Sequence, residues 1–164
     1  MSPSYLRDEA QAQQYATRLA ALVTEHGFPT FSAWSVSING WATVRRERKR
    51  EGLNYIQEGL SIYQAIGSEN SQPYLLSLFA DACLLLERPE EGLIAVGEAL
   101  RKVDKFGEHF IEAELYRLKG ELLLTQEVKS QNSEISNPQP LTPSTQNEAE
   151  ACFLKAVAIA QKQQ

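Results

Sequence analysis

Four interlocked series of small residues recur every 40 positions in this chain, and no other feature restricts its fold so tightly. Gly27, Gly67 and Gly107 are 40 apart, as are Gly40, Ala80 and Gly120. The same interval separates Gly52 from Gly92 and Gly59 from Ala99. Within one unit the steps are 13, 12, 7 and 8 residues, which together close the period. Composition alone would not interlock small residues in this way. A fixed period of this length marks stacked helical units, each too small to bury its own apolar face.

Each part of the unit has a physical reading. A first helix follows each of Gly27, Gly67 and Gly107, over FSAWSVSINGWATV, PYLLSLFADACLLL and IEAELYRLKGELLL. Pro29 and Pro73 fall at or before its first turn, where a missing N–H costs nothing. Glycine in a helix interior costs up to about 1 kcal/mol relative to alanine, so the small residue at Gly40, Ala80 or Gly120 implies close approach of a second helix. A short turn such as ERPEE precedes that second helix, GLNYIQEGLSIYQAI or GLIAVGEALRKVDKF, which stops at Gly67 or Gly107. In the third unit the small residue due 12 positions after Gly120 arrives at Ala149 instead, 29 positions on, which is an insertion of 17. Ala149, Phe153 and Ala156 then give the A-x3-F-x2-A spacing of a second tetratricopeptide (TPR) helix. The inserted text, about 127–146, carries Pro138, Pro140 and Pro143 among Ser, Thr and Asn, and is expected to be a flexible loop.

The stretch 9–27 aligns with a second helix that lacks its first. The expected architecture is an all-α, TPR-like, right-handed α-α superhelix of antiparallel pairs, about seven helices in one domain over 1–164. Its parts are the orphan second helix 9–27, then repeats over 29–67, 72–107 and 109–164. The expected core is Leu19, Leu22, Ile38, Leu60, Leu78, Leu93, Leu100, Leu118, Leu122, Phe153 and Val157. A half repeat at the start and no polar capping helix at the end suggest a piece of a longer protein.

Several quoted stretches, EHGFP followed by GWA, RPEEGLIAVGEAL, EAELYRLKGELLL and EAEACFLKAVAIAQKQ, resemble the C-terminal TPR-like region of large bacterial multidomain regulators. Those regulators join a predicted signal-transduction NTPase to an adenylate or guanylate cyclase, kinase or DNA-binding domain. The resemblance covers about 9–164, and the basic turn RRERKR and the polar insertion depart from it. It implies a sensor arm that binds proteins or inducers and controls a neighbouring NTPase. No residue of the NTPase or cyclase itself is present.

Composition bounds the chemistry. A net charge of −5 disfavours nucleic acid and acidic lipid as partners. No apolar run approaches the roughly 18 residues of a membrane span, and no secretory leader is visible at the start. Cys83 and Cys152 fall at apolar helical positions, which suits small core residues in a reducing compartment, so the expected location is the cytoplasm. GLIAVGEA, the nearest approach to a phosphate loop, has Glu98 where lysine is required, and no G-x-S-x-G, H-E-x-x-H or C-x-x-C occurs. His26 and His109 lie at inter-unit turns beside repeat glycines and read as surface or capping groups. Glu90, Glu91, Glu148 and Glu150 open second helices, where carboxylates favour the helix dipole. Arg45, Arg46, Arg48, Lys49 and Arg50 read as a solvated turn, with contact to phosphate, nucleic acid or an acidic neighbouring domain as the alternative. No catalytic residue, metal site or cofactor is expected.

The remaining surface of interest is the face of the first helices. With Gly40, Ala80 and Gly120 as the eighth position of each unit, the second, fifth and ninth should line a concave groove. These are Trp34, Ser37 and Trp41, then Tyr74, Ser77 and Asp81, then Glu114, Arg117 and Glu121, an aromatic end grading to a charged one. The expected function is non-catalytic: a protein-interaction or regulatory arm of a larger signalling protein, binding a peptide or partner domain. The alternative is small-molecule (inducer) sensing in the same groove. Self-association through the open ends, as a homodimer, is also expected.

Overall fold

The computed structural model describes residues 13–18, 29–67, 71–133 and 143–163. Among them every regular element is a helix. Helix α1 is described over residues 13–18. It is followed by α2 (Pro29–Glu47), α3 (Glu51–Ala65), α4 (Gln72–Leu85), α5 (Pro89–Phe106), a single 3-10 turn at His109–Ile111, α6 (Glu112–Ser133) and α7 (Pro143–Lys162). No helix among the described residues is long and apolar enough to cross a membrane.

The helix ends follow from local chemistry. Proline occupies the first turn of α4 and of α5, where its fixed φ is already helical. Glu90 and Glu91 lie at the positive end of the α5 dipole and Lys105 at the negative end. Gly107 stops α5 at φ 71° and donates its N–H to Val103 O at 2.8 Å. Gly67 takes φ 68° after α3. The turns inside the pairs use the same left-handed conformation without glycine, at Arg48 and Glu87, both at φ 54°. After α4 the N–H of Arg88 reaches Cys83 O at 2.8 Å and that of Glu87 reaches Leu84 O at 3.1 Å, the two bonds of a Schellman stop.

Three pairs of helices pack together, α2 with α3, α4 with α5 and α6 with α7. The first pair is antiparallel, since Gly40 meets Gly52 while the earlier Ala33 meets the later Gly59. The third is too: Tyr116 accepts from Lys155 at 2.5 Å, Gly120 lies under the Phe153 ring, and Glu127 accepts from Thr145 at 2.9 Å. Between pairs, α4 packs on both α2 and α3, and α6 packs on both α4 and α5. Helices α2 and α4 run parallel, a full period apart, since Trp34 stacks on Tyr74 and Trp41 bonds Asp81. Ser71 N–H donates to Glu108 Oε2 at 2.9 Å, tying the start of α4 to the turn after α5. Helix α1 joins α2 where Ser35 Oγ donates to the buried Ala16 O at 2.9 Å.

The core centres on α4, whose sequence is apolar on nearly every side, as a helix enclosed by neighbours must be. Leu75, Leu78, Ala80, Ala82 and Cys83 are buried there, against Trp41, Ile56, Val96, Leu115, Leu118 and Leu122 from the surrounding helices. Burial pushes the Cys83 thiol up to about 12, so it behaves as a small apolar group. Burial also raises the Cys152 thiol. Of the expected core, Leu78, Leu118 and Leu122 are buried, and Ile38, Leu60, Leu93 and Leu100 are partly buried against the same cluster. Leu19 and Leu22 lie outside the described residues, as do His26 and Gly27.

Two expectations are corrected. Val157 is exposed, because α7 packs on α6 through its other face, at Ala149, Cys152, Phe153 and Ala156. The insertion at 127–146 is helical at both margins: α6 runs on to Ser133 and α7 starts at Pro143. Gln126 to Lys129 are helix-tolerant residues, and the extension is anchored where Thr145 bonds Glu127 and Lys129 Nζ donates to Glu87 O. Pro138 and Pro140 lie outside the described residues.

Close approach decides which glycines are indispensable. A Cβ on Gly40 would stand 2.4 Å from Gly52 O, and a Cβ on Gly52 would stand 2.4 Å from Gly40 O. Backbone lies on backbone there, and neither side can yield. At Gly97, within α5, a Cβ meets nothing within 4 Å. Gly40→Ala is therefore expected to lower stability by about 1–3 kcal/mol through overpacking. Gly97→Ala should raise it by up to about 1 kcal/mol, since only helix propensity changes. Urea unfolding followed by circular dichroism checks both signs.

Candidate functional site

Helices α2, α4 and α6 together line a cleft of about 490 Å³. Six of the nine groove positions read from the repeat border it: Trp41 from α2, Ser77 and Asp81 from α4, and Glu114, Arg117 and Glu121 from α6. Arg45 and the leucines Leu78, Leu84 and Leu85 complete the wall. The juxtaposition follows from the period, because adjacent first helices bring residues 40 apart side by side.

Trp34 and Tyr74 occupy equivalent positions and stack on each other, ring centroids 4.9 Å apart and planes 15° from parallel. They are partly buried against the core cluster and do not border the cleft. The expected aromatic end of the groove is thus a stacked pair supporting α2 on α4. Ser37 is corrected outright. It is fully buried, and a Cβ on Gly59 would fall 2.0 Å from its Oγ, so it faces α3 instead of the groove. A helix advances 100° per residue, so a fifth position is easily turned toward the partner helix. Its hydroxyl has no hydrogen-bond partner among the described residues.

At the α2–α4 side, the Trp41 indole N–H donates to Asp81 Oδ2 at 2.7 Å, and Trp41 itself is only 2% exposed. Arg45 Nη1 donates to the same oxygen at 3.2 Å and lies over the Trp41 ring, 5.2 Å from its centroid. One carboxylate thus satisfies a buried indole and a guanidinium together, which makes Asp81 the hinge of this side. At the α6 side, Arg117 is gripped in a fork by Glu114, at 2.8 Å through Nε and 2.6 Å through Nη2. Its Nη1 reaches Glu121 Oε1 at 2.5 Å. The hydrogen bonds to Glu114 come first in raising the guanidinium above the ordinary arginine value, with the Glu121 bond adding to them.

The sequence underestimated Arg45. The basic turn is not uniformly solvated: Arg45 belongs to the cleft, Arg46 bonds Gln13, Arg48 Nη1 donates to Leu85 O at 2.9 Å, and Lys49 pairs with Glu47 at 2.5 Å. Arg50 is exposed. Arg45 is four residues beyond Trp41, and that helical spacing was the available signal. His109 is exposed, as a surface group at a turn, and its Nδ1 is 2.8 Å from Glu112 Oε2. Among the described residues no group of three or more His, Cys, Asp and Glu side chains is placed to hold a metal ion.

Comparison with protein-family models, with curated proteins and with solved structures finds no match to this chain.

Two substitutions test the geometry. Asp81→Ala strands the Trp41 indole N–H and removes the carboxylate facing Arg45, and should cost about 2 kcal/mol. Combined with Trp41→Phe, it should cost less than the two changes separately, a coupling readable in a double-mutant cycle. Ser37→Ala removes a buried hydroxyl that has no partner among the described residues and should leave stability unchanged or raise it by about 1 kcal/mol, seen as a higher urea midpoint.

Proposed function

We propose that this chain is a non-catalytic interaction arm, a TPR-like α-α superhelix that binds an extended peptide or partner segment across α2, α4 and α6. In this reading it serves as a regulatory region of a larger cytoplasmic signalling protein, as the resemblance to the repeat arms of bacterial multidomain regulators implies. The observation that carries it is the convergence of equivalent positions from three successive first helices on one cleft. The 40-residue ladder, the parallel offset of α2 and α4, and the packing of each later first helix on both helices of the preceding pair support the same architecture. The charged groups of the cleft hold one another in ion pairs, and a preorganised surface of this kind costs little to order on binding.

The cleft volume also favours a second reading, since about 490 Å³ lies within the range of pockets that hold small molecules. In that reading the arm senses an inducer in the same place.

Peptides selected from a random display library against the 164-residue chain separate these. On interaction, selected peptides should shift the NMR signals of the Trp41 indole and of Ser77, Asp81 and Arg117. Peptides that perturb only other surfaces, or a library that yields none above background, would overturn it. A small-molecule screen that moves the same signals while no peptide does would favour sensing.

A further inference from the structure

The charges of the cleft are unequal, and the inequality specifies what it should hold. Three carboxylates (Asp81, Glu114 and Glu121) border it against two guanidinium groups (Arg45 and Arg117). Arg45 is matched by Asp81. Arg117 must serve both Glu114 and Glu121, and it takes Glu114 through two parallel bonds but Glu121 through Oε1 alone. The side chain of Glu121 is 41% exposed, against 25% for Glu114. The surplus negative charge therefore resides at Glu121, at the more open part of the α6 wall. Leu84 and Leu85, both partly buried, give the same cleft an apolar surface on α4.

Resting on the interaction reading above, we infer that the occupant is a peptide segment presenting a lysine or arginine to Glu121 beside apolar side chains that cover Leu84 and Leu85. Among the residues that line the cleft the excess charge is a carboxylate's, so a cationic group is the ligand charge it favours, and the guanidinium of Arg48 outside the lining is bonded to Leu85 O. An acidic segment would have to compete with Glu114 and Glu121 for the single guanidinium of Arg117, and like charge placed beside them disfavours it. The ordered Arg117 fork holds its carboxylates in place before binding, so a cation arriving at Glu121 does not have to order them. Trp41 makes no direct contact with the peptide, because its ring is covered by Arg45 and its indole N–H is already bonded to Asp81. Its indole signal reports binding through these two neighbours.

The test compares two synthetic peptides that differ only in Lys against Glu at one position between leucines, together with the composition of library peptides that map to the cleft. The lysine form should bind the more tightly, and cleft-mapping selections should be enriched in Lys or Arg next to Leu, Ile or Phe. Glu121→Gln should weaken the lysine peptide about five-fold, the effect of one exposed ion pair, and Gly97→Ala should leave it unchanged. Raising salt should reduce the Lys–Glu difference. Cleft-mapping peptides that are acidic or neutral, or that ignore Glu121→Gln, would overturn this inference and leave the interaction reading intact. Absence of any cleft-mapping peptide would overturn both. An unchanged circular dichroism spectrum of Glu121→Gln keeps a folding defect from being mistaken for lost binding.

Discussion

The contact between Gly40 and Gly52 is the constraint on which the rest of the structure depends. Carbonyl oxygens of α2 and α3 occupy the space that a Cβ on the opposite helix would need, so the pair packs at backbone distance. Close pairing at that point lets Ala33 and Ser37 of α2 reach Gly59 of α3, and the three contacts lie in sequence along one interface. Gly92 repeats the theme against Leu122 and Cys83, and Gly120 against the Phe153 ring. These three neighbours are side chains that can shift, whereas the opposed backbones at Gly40 and Gly52 cannot. The first pair is therefore the least forgiving of substitution.

From that pairing follows the layer that carries the candidate site. Once each first helix is held by its partner, the next one can bury its apolar surface only by lying across the preceding pair. Helix α4 lies across α2 and α3 and is itself covered by α6, so it becomes the centre of the core. Its uncovered edge presents Ser77, Asp81, Leu84 and Leu85 to the cleft, while Ala80 and Cys83 point into the core. A single helix thus serves the core on one side and lines the cleft on the other. Asp81 joins these roles, since it satisfies the buried Trp41 and holds Arg45 at the cleft wall.

Much of this is legible in the sequence. The period located the helices, the glycine stops at Gly67 and Gly107, and six of the nine residues that meet at the cleft, because equivalent positions in stacked units must fall side by side. It failed where the local phase of a helix mattered. Ser37 turned toward α3, Trp34 and Tyr74 stacked on each other, and Val157 faced outward on α7. The polar insertion looked unable to order itself on composition, yet its margins extend α6 and α7 because Glu127 and Lys129 find partners on Thr145 and Glu87.

The sequence by itself determined that the chain is helical, where its units repeat, and which small residues must sit between paired helices. These are matters of periodicity and of excluded volume, and both are written along the chain. Only the tertiary structure decided which charges balance between helices. Arg45 leaves the basic turn to meet Asp81, 36 positions away, whereas the pairs of Arg117 with Glu114 and Glu121, three and four residues off on its own helix, follow from helical spacing. Ion pairing between helices depends on distance and direction in space, which a one-dimensional spacing does not carry. Folding alone brings the Arg45–Asp81 pair and the Arg117 fork to one cleft.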